Sequence, residues 1–180
     1  MLIAALNGSP RRSGNTETLL NRALEGARSK GAETVRIDIA DLDISGCREC
    51  GSCSSAKRCV VEDDMEKVYD VLARADAVIV GTPIFFSGPS GQLKIAIDRC
   101  QCLWANPIGR EGRNAAIIAV GGDEKANFKN AVSEIRSFLN TVGFRSTEEL
   151  LVPGVSGKGD IVSRTDAMDK AFQIGKALAH

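Results

Sequence analysis

Strand-like and helix-like segments alternate along the whole chain, and a half-polar second strand stands among otherwise apolar ones. These two observations predict an α/β fold: a three-layer sandwich with a five-stranded parallel sheet in the order 2-1-3-4-5. Parallel strands covered on both faces read as continuous apolar runs, and a strand covered on one face alternates. "LIAAL" (2–6), "AVIVG" (77–81) and "NAAIIAV" (114–120) are of the first kind and belong at the centre. "ETVRIDI" (33–39) sets Val35, Ile37 and Ile39 against Thr34, Arg36 and Asp38, and belongs at an edge.

Each strand is followed by a segment of helical period. Residues 16–29 place Leu20, Ala23, Leu24 and Ala27 on one face. "DDMEKVYDVLARA" offers Asp63 as N-cap, with Glu66 three residues on, and repeats Met65, Val68, Tyr69 and Leu72. "GQLKIAIDRCQCL" reads as one helix, and "FKNAVSEIRSFLNTVG" as another ending at Gly143. "EELLV" (148–152) supplies the fifth strand, and residues 165–179 a last helix through Met168, Ala171, Phe172 and Leu178. With no repeats and no low-complexity linkers, residues 1–180 are expected to form one domain with a cysteine-rich loop at about 44–61.

The totals exclude several function classes. The chain has 180 residues, and its 23 basic and 23 acidic side chains cancel, so nothing in the charge favours nucleic acid or an anionic membrane. The apolar runs near the start and at "AAIIAV" are too short for a signal peptide or a membrane span. The expectation is a soluble, cytoplasmic protein, where clustered cysteines hold metal or do redox work more often than they form disulfides. His180 is the sole histidine, which leaves no imidazole for acid–base catalysis, and no catalytic side chain is nominated.

In this topology a ligand sits beyond the carboxyl ends of strands 1 and 3. After strand 1, "NGSPRRSGNTETLL" runs straight into a helix, whose N-terminal N–H groups and dipole favour a phosphate. Ser9, Ser13, Asn15 and Thr16 offer short polar side chains there, Arg11 and Arg12 add charge, and Gly8 and Gly14 permit a tight turn. The pattern is neither G-x-G-x-x-G nor the Walker sequence, which weakens dinucleotide and nucleoside-triphosphate readings. After strand 3, "GTPIFFSGPSGQLK" carries Phe85 and Phe86, which either pack into the core or face a flat aromatic ligand. After strand 4, Gly121 and Gly122 permit close backbone approach, as the third wall of the crevice or as ordinary turn residues.

"GCRECGSCSSAKRC" gathers Cys47, Cys50, Cys53 and Cys59 in a C-x2-C-x2-C-x5-C run. Extended, neighbouring cysteines would stand about 10 Å apart, so a shared metal centre requires the loop to coil. Gly51, Ser52, Ser54 and Ser55 allow that. The spacing resembles compact runs that hold cubane clusters, although the ferredoxin run has a shorter last gap. Zinc more often uses two separated C-x2-C knuckles. Cluster, zinc and unmetallated thiols all stay open on the residues alone. Arg48, Lys57 and Arg58 would offset a cluster's negative charge, and Cys100 and Cys102 read as packed thiols without a role.

"GSPRRSGNT", "GTPIFFSGPSGQLK…DR" and "GKGD" resemble the NADPH-dependent FMN reductase family of flavodoxin-like proteins. The four-cysteine loop followed by "VEDDM" narrows the resemblance to iron–sulfur flavoproteins within it. The resemblance implies an FMN-dependent oxidoreductase, with the FMN phosphate held around Ser9, Arg11, Ser13, Asn15 and Thr16. It implies a flavin ring against the backbone of Pro83, Ile84, Phe85, Phe86 and Ser87, and near Gly121 and Gly122. Cys47, Cys50, Cys53 and Cys59 would ligate a [4Fe–4S] cluster. A ferredoxin-like donor, NAD(P)H as a further donor, and a homo-oligomer (dimer or tetramer) with one subunit's cluster loop near another's FMN complete the expectation. The rivals are a cluster-free NAD(P)H-dependent FMN or quinone reductase and a zinc-stapled interaction module.

Overall fold

The computed structural model describes all 180 residues, and five parallel strands form its centre. They are β1 (Leu2–Asn7), β2 (Glu33–Asp38), β3 (Ala77–Pro83), β4 (Arg113–Val120) and β5 (Phe144–Val152), in the order β2-β1-β3-β4-β5. The flavodoxin-like order is the expected one, with the half-polar β2 at an edge.

Side chains of the central strands alternate between two cores. Ile3, Ala5, Ile79 and Ile118 face α1 (Asn15–Arg28) and α7 (Thr165–Leu178). Ala4, Leu6, Val78, Val80 and Ile117 face α3 (Met65–Arg74), α4 (Gly91–Arg99) and α6 (Lys129–Thr141). Each core holds 21 buried residues, so β1, β3 and β4 are apolar on both faces and show no alternation. On the first face α1 and α7 come close enough for backbone contact: a Cβ added at Gly175 would lie 1.7 Å from Ala23 O.

The remaining α-helices are two short ones, α2 (Ser52–Ala56) and α5 (Gln101–Ala105). The structure corrects three element boundaries. The run 91–103 is broken at Cys100, because the Arg99 carbonyl accepts the Tyr69 hydroxyl at 2.8 Å and so bonds outside the helix. α3 starts at Met65 with Asp64 as its N-cap. Asp63 still accepts the Met65 N–H at 3.0 Å, but its carboxylate is ion-paired with Arg99. β5 begins four residues early, at Phe144. Its polar first half contains a bulge in which Ser146 pairs with Ala115 and Glu148 with Ala116, leaving Thr147 between.

Candidate functional site

The loops after β1, β3 and β4 meet around one cavity of about 200 Å³. Ser9, Arg11, Asn15, Thr16, Pro83, Ile84, Phe85 and Gly122 line it, joined by Gly14, Val120, Val155 and Ser156. Ser13, Phe86, Ser87 and Gly121 stand outside the lining.

The first wall is the entry to α1. Its N–H groups at Asn15, Thr16 and Glu17 have no acceptor within the protein, and the buried Thr16 hydroxyl makes no protein hydrogen bond. Free N–H groups at a helix start, with Arg11 beside them, make an anion cradle. Ser13, at φ 51°, turns the chain into it and donates its N–H to Glu17 Oε2 at 2.6 Å. Asn15 works differently. Its amide donates to Gly157 O at 2.8 Å and Val155 O at 3.4 Å, while Oδ1 accepts the Gly159 and Ile161 N–H groups at 3.0 and 3.3 Å. The side chain therefore ties the 155–161 loop, with its "GKGD" stretch, to the start of α1. Arg11 adds a bond to Ser156 O at 2.9 Å.

Ser90 is fully buried, and reading by residue type missed it. Its hydroxyl donates to Gly8 O and accepts the Leu93 N–H at 3.3 Å, capping α4, while its own N–H reaches Thr82 Oγ1 at 3.0 Å. Gly8 N–H bonds Gly81 O at 2.8 Å. One serine thus fixes the β1 loop, the β3 exit and α4 against each other. The nearest sequence signal was a Ser directly before a helical period.

On the second wall, Phe85 and Gly88 exchange backbone bonds of 3.0 and 2.9 Å around a turn with Phe86 at φ 50° and Ser87 at φ 64°. Two successive left-handed residues without glycine are strained, a feature that gathers at functional loops. Phe85 is half exposed at the cavity and Phe86 fully exposed at the tip, so neither packs into the core. On the third wall a Cβ at Gly121 would lie 2.3 Å from Ala126 Cβ, so close packing of the following loop requires this glycine.

A second cavity, about 140 Å³, lies under the cysteine loop and is lined by Cys47, Cys50, Cys53 and Cys59 together with Arg99 and Cys102. The loop coils as a shared centre requires. Glu49, Gly51 and Lys57 all have positive φ, and α2 carries Cys53 inward. Its two ends are zipped by Ser45 N–H to Asp63 Oδ2 at 3.0 Å and Asp43 N–H to Asp64 Oδ2 at 3.0 Å. Asn106 Nδ2 bonds Cys53 O at 2.9 Å and holds α2 to α5. No three Cys, His, Asp or Glu side chains converge closely enough to hold one metal ion.

The thiols differ in setting. Cys47 and Cys50 are exposed, Cys53 and Cys59 half-buried, Cys100 and Cys102 buried. Hydrogen bonds from the Ser52 hydroxyl and N–H hold the Cys50 thiol below its ordinary pKa. Burial pushes Cys102 up, and neighbouring Cys53 and Cys59 push the same way. Arg99, also missed from sequence, is buried beneath the loop. Burial raises the Asp63 carboxyl, but hydrogen bonds from Arg99, Ser45 and Met65 and the guanidinium charge outweigh it and hold the group below the usual range.

Cavity and fold agree with a comparison over most of the chain: residues 1–152 match the model of the NADPH-dependent FMN reductase family. The chain belongs to that family. It is an FMN-dependent oxidoreductase. It is 39% identical over 141 residues to an iron–sulfur flavoprotein of Methanocaldococcus jannaschii, covering 77% of this chain and 71% of the relative. To the iron–sulfur flavoprotein of Methanosarcina thermophila it is 30% identical over 143 residues, 79% and 75% of the two chains. An NAD(P)H:quinone oxidoreductase from Methanothermobacter marburgensis superposes with TM-score 0.77 over 100% of this chain and 98% of its own, at 21% identity, and shares the fold. No helix is long and apolar enough to cross a membrane.

Proposed function

We propose that this FMN reductase family member is an electron-transfer oxidoreductase that carries a [4Fe–4S] cluster on Cys47, Cys50, Cys53 and Cys59 and passes electrons between a one-electron donor and FMN. The observation that carries this reading is the set of four thiols around one cavity, with a buried guanidinium in its wall. Zinc needs four sulfurs about 2.3 Å from a single point. Four thiols of one compact run line a single cavity here, the donor set that a cubane centre takes. A bound cluster would exchange single electrons and a bound flavin one or two, so the pair supplies a junction between one- and two-electron carriers.

The chain's own groups have separate tasks. The α1 N–H groups, Thr16 and Arg11 bind the flavin phosphate, with Ser9 and Ser13 shaping the turn and Asn15 holding the 155–161 loop. Pro83 to Phe85 offer backbone and Phe85 an apolar face to the ring, with Phe86 and Ser87 turning their loop, while Gly122 keeps the third wall open to it and Gly121 packs the loop that follows. Val60 and Trp104, exposed together beside the cysteine cavity, are an apolar rim that a second subunit would cover in a homo-oligomer, and a ferredoxin-like protein suits the donor role in a cytoplasmic setting.

Anaerobic purification with iron, zinc, acid-labile sulfide and FMN analysis tests the proposal. About four iron and four sulfide per chain, with one FMN, is the expected result. FMN without iron after reconstitution would leave a cluster-free reductase, and zinc without FMN an interaction module.

A further inference from the structure

Arg99 is the last residue of α4, 2% exposed, and it reaches both ends of the cysteine loop. Nη1 donates to Ser45 O at 2.8 Å and to the Asp63 carboxylate, and Nη2 to Asp63 Oδ1 at 3.2 Å, Val61 O at 3.3 Å and Cys59 Sγ at 3.4 Å. Nε is buried and has no partner. Asp63 is the one carboxylate paired with it. A neutral thiol is a weak acceptor, whereas a sulfur carrying negative charge is a strong one. A buried guanidinium with one N–H on a cysteine sulfur, another unused, and a place in the wall of a five-thiol cavity is arranged for an anionic sulfur-rich occupant.

We infer that Arg99, its charge balanced by Asp63, is a positioning residue for the iron–sulfur centre, fixing Cys59 and supplying N–H donors to sulfur that favour the centre's reduced form. The inference rests on the cluster reading above. Adding an electron adds negative charge, and hydrogen bonds to cluster sulfurs together with nearby charge set how favourable that addition is. None of the exposed basic residues of the loop can replace it. Arg48, Lys57 and Arg58 are exposed and donate to no cysteine sulfur, whereas the buried Arg99 does.

Two variants test it in the full-length holoprotein: Arg99→Lys, which keeps the charge and loses the fork, and Arg99→Met combined with Asp63→Asn, which removes the buried pair together. FMN content and the melting temperature report folding. The cluster's midpoint potential is read by EPR during anaerobic titration with dithionite. In the double variant the one-electron reduction equilibrium is expected to fall about tenfold, a shift of about 59 mV to lower potential, with Arg99→Lys between it and wild type. Folded, iron-loaded variants with the wild-type midpoint would overturn the role of Arg99 and leave the cluster standing. Iron lost from both variants with flavin retained would leave Arg99 only the fixing of the loop and would overturn its effect on the centre's reduced form. Wild-type protein that takes up no iron on anaerobic reconstitution would remove the cluster reading itself, and this inference with it.

Discussion

Replacing Asn15 by alanine separates a structural asparagine from a ligand-binding one. Its side chain makes two firm bonds, to Gly157 O at 2.8 Å and from Gly159 N–H at 3.0 Å. Two longer ones reach Val155 O at 3.4 Å and come from Ile161 N–H at 3.3 Å. A neutral hydrogen bond contributes about 1 kcal/mol net, and buried groups left unpaired add to the loss. Counting the firm bonds fully and the long ones in part gives about 2–3 kcal/mol of destabilisation, partly relieved where water reaches the exposed glycines. For a chain of this size that lowers the melting temperature by roughly 5–10 °C. Urea unfolding of the flavin-free protein measures the stability, and amide exchange across 155–161 shows whether the loop has been released. Because Val155 and Ser156 line the proposed flavin cavity, FMN affinity is expected to fall as well, but as a consequence. A stability change under about 0.5 kcal/mol, with loop protection unchanged, would refute the reasoning.

Thr16→Val removes a hydroxyl with no protein partner, so it weakens FMN binding roughly fivefold, about 1 kcal/mol, while stability stays near wild type; flavin fluorescence titration reads it. Gly175→Ala drives a Cβ to 1.7 Å from Ala23 O, and by forcing α7 off α1 it destabilises the flavin-free protein by about 3 kcal/mol in urea unfolding. Cys50→Ser abolishes or cripples iron binding with FMN retained, whereas Cys102→Ser leaves about four iron per chain; equal iron loss in both would make Cys102 a ligand.

The fold was legible because its two signals have simple physical sources. Strands covered on both faces must be apolar along their covered length, and 2–6, 77–81 and 115–120 are. The polar alternation of β2 marks the edge. Legibility failed where a partner distant in sequence intervenes. Nothing local says that the Tyr69 hydroxyl takes the Arg99 carbonyl and interrupts a helix of continuous period, or that Thr147 bulges out of a strand whose first half is polar.

The same distinction sorts the candidate site. Residue type located the loops: a turn rich in Ser, Asn and Thr before a helix, aromatic residues after β3, glycines after β4. It did not assign tasks within them, because an amide such as Asn15 serves an anion or a neighbouring loop equally well until that loop's position is known. Ser90 and Arg99 were missed for a related reason. Each sits inside a helical segment as an ordinary cap or an ordinary cation, and gains its role from what the fold brings beside it. For Ser90 that is the Gly8 carbonyl, 82 residues away in sequence. For Arg99 it is Cys59, 40 residues away. Both act as ties between loops: Ser90 sets the β1 loop against the β3 exit, and Arg99 sets α4 against the cysteine loop. Since α4 carries both at its two ends, one helix joins the β1 and β3 loops of the proposed flavin cavity to the cysteine loop.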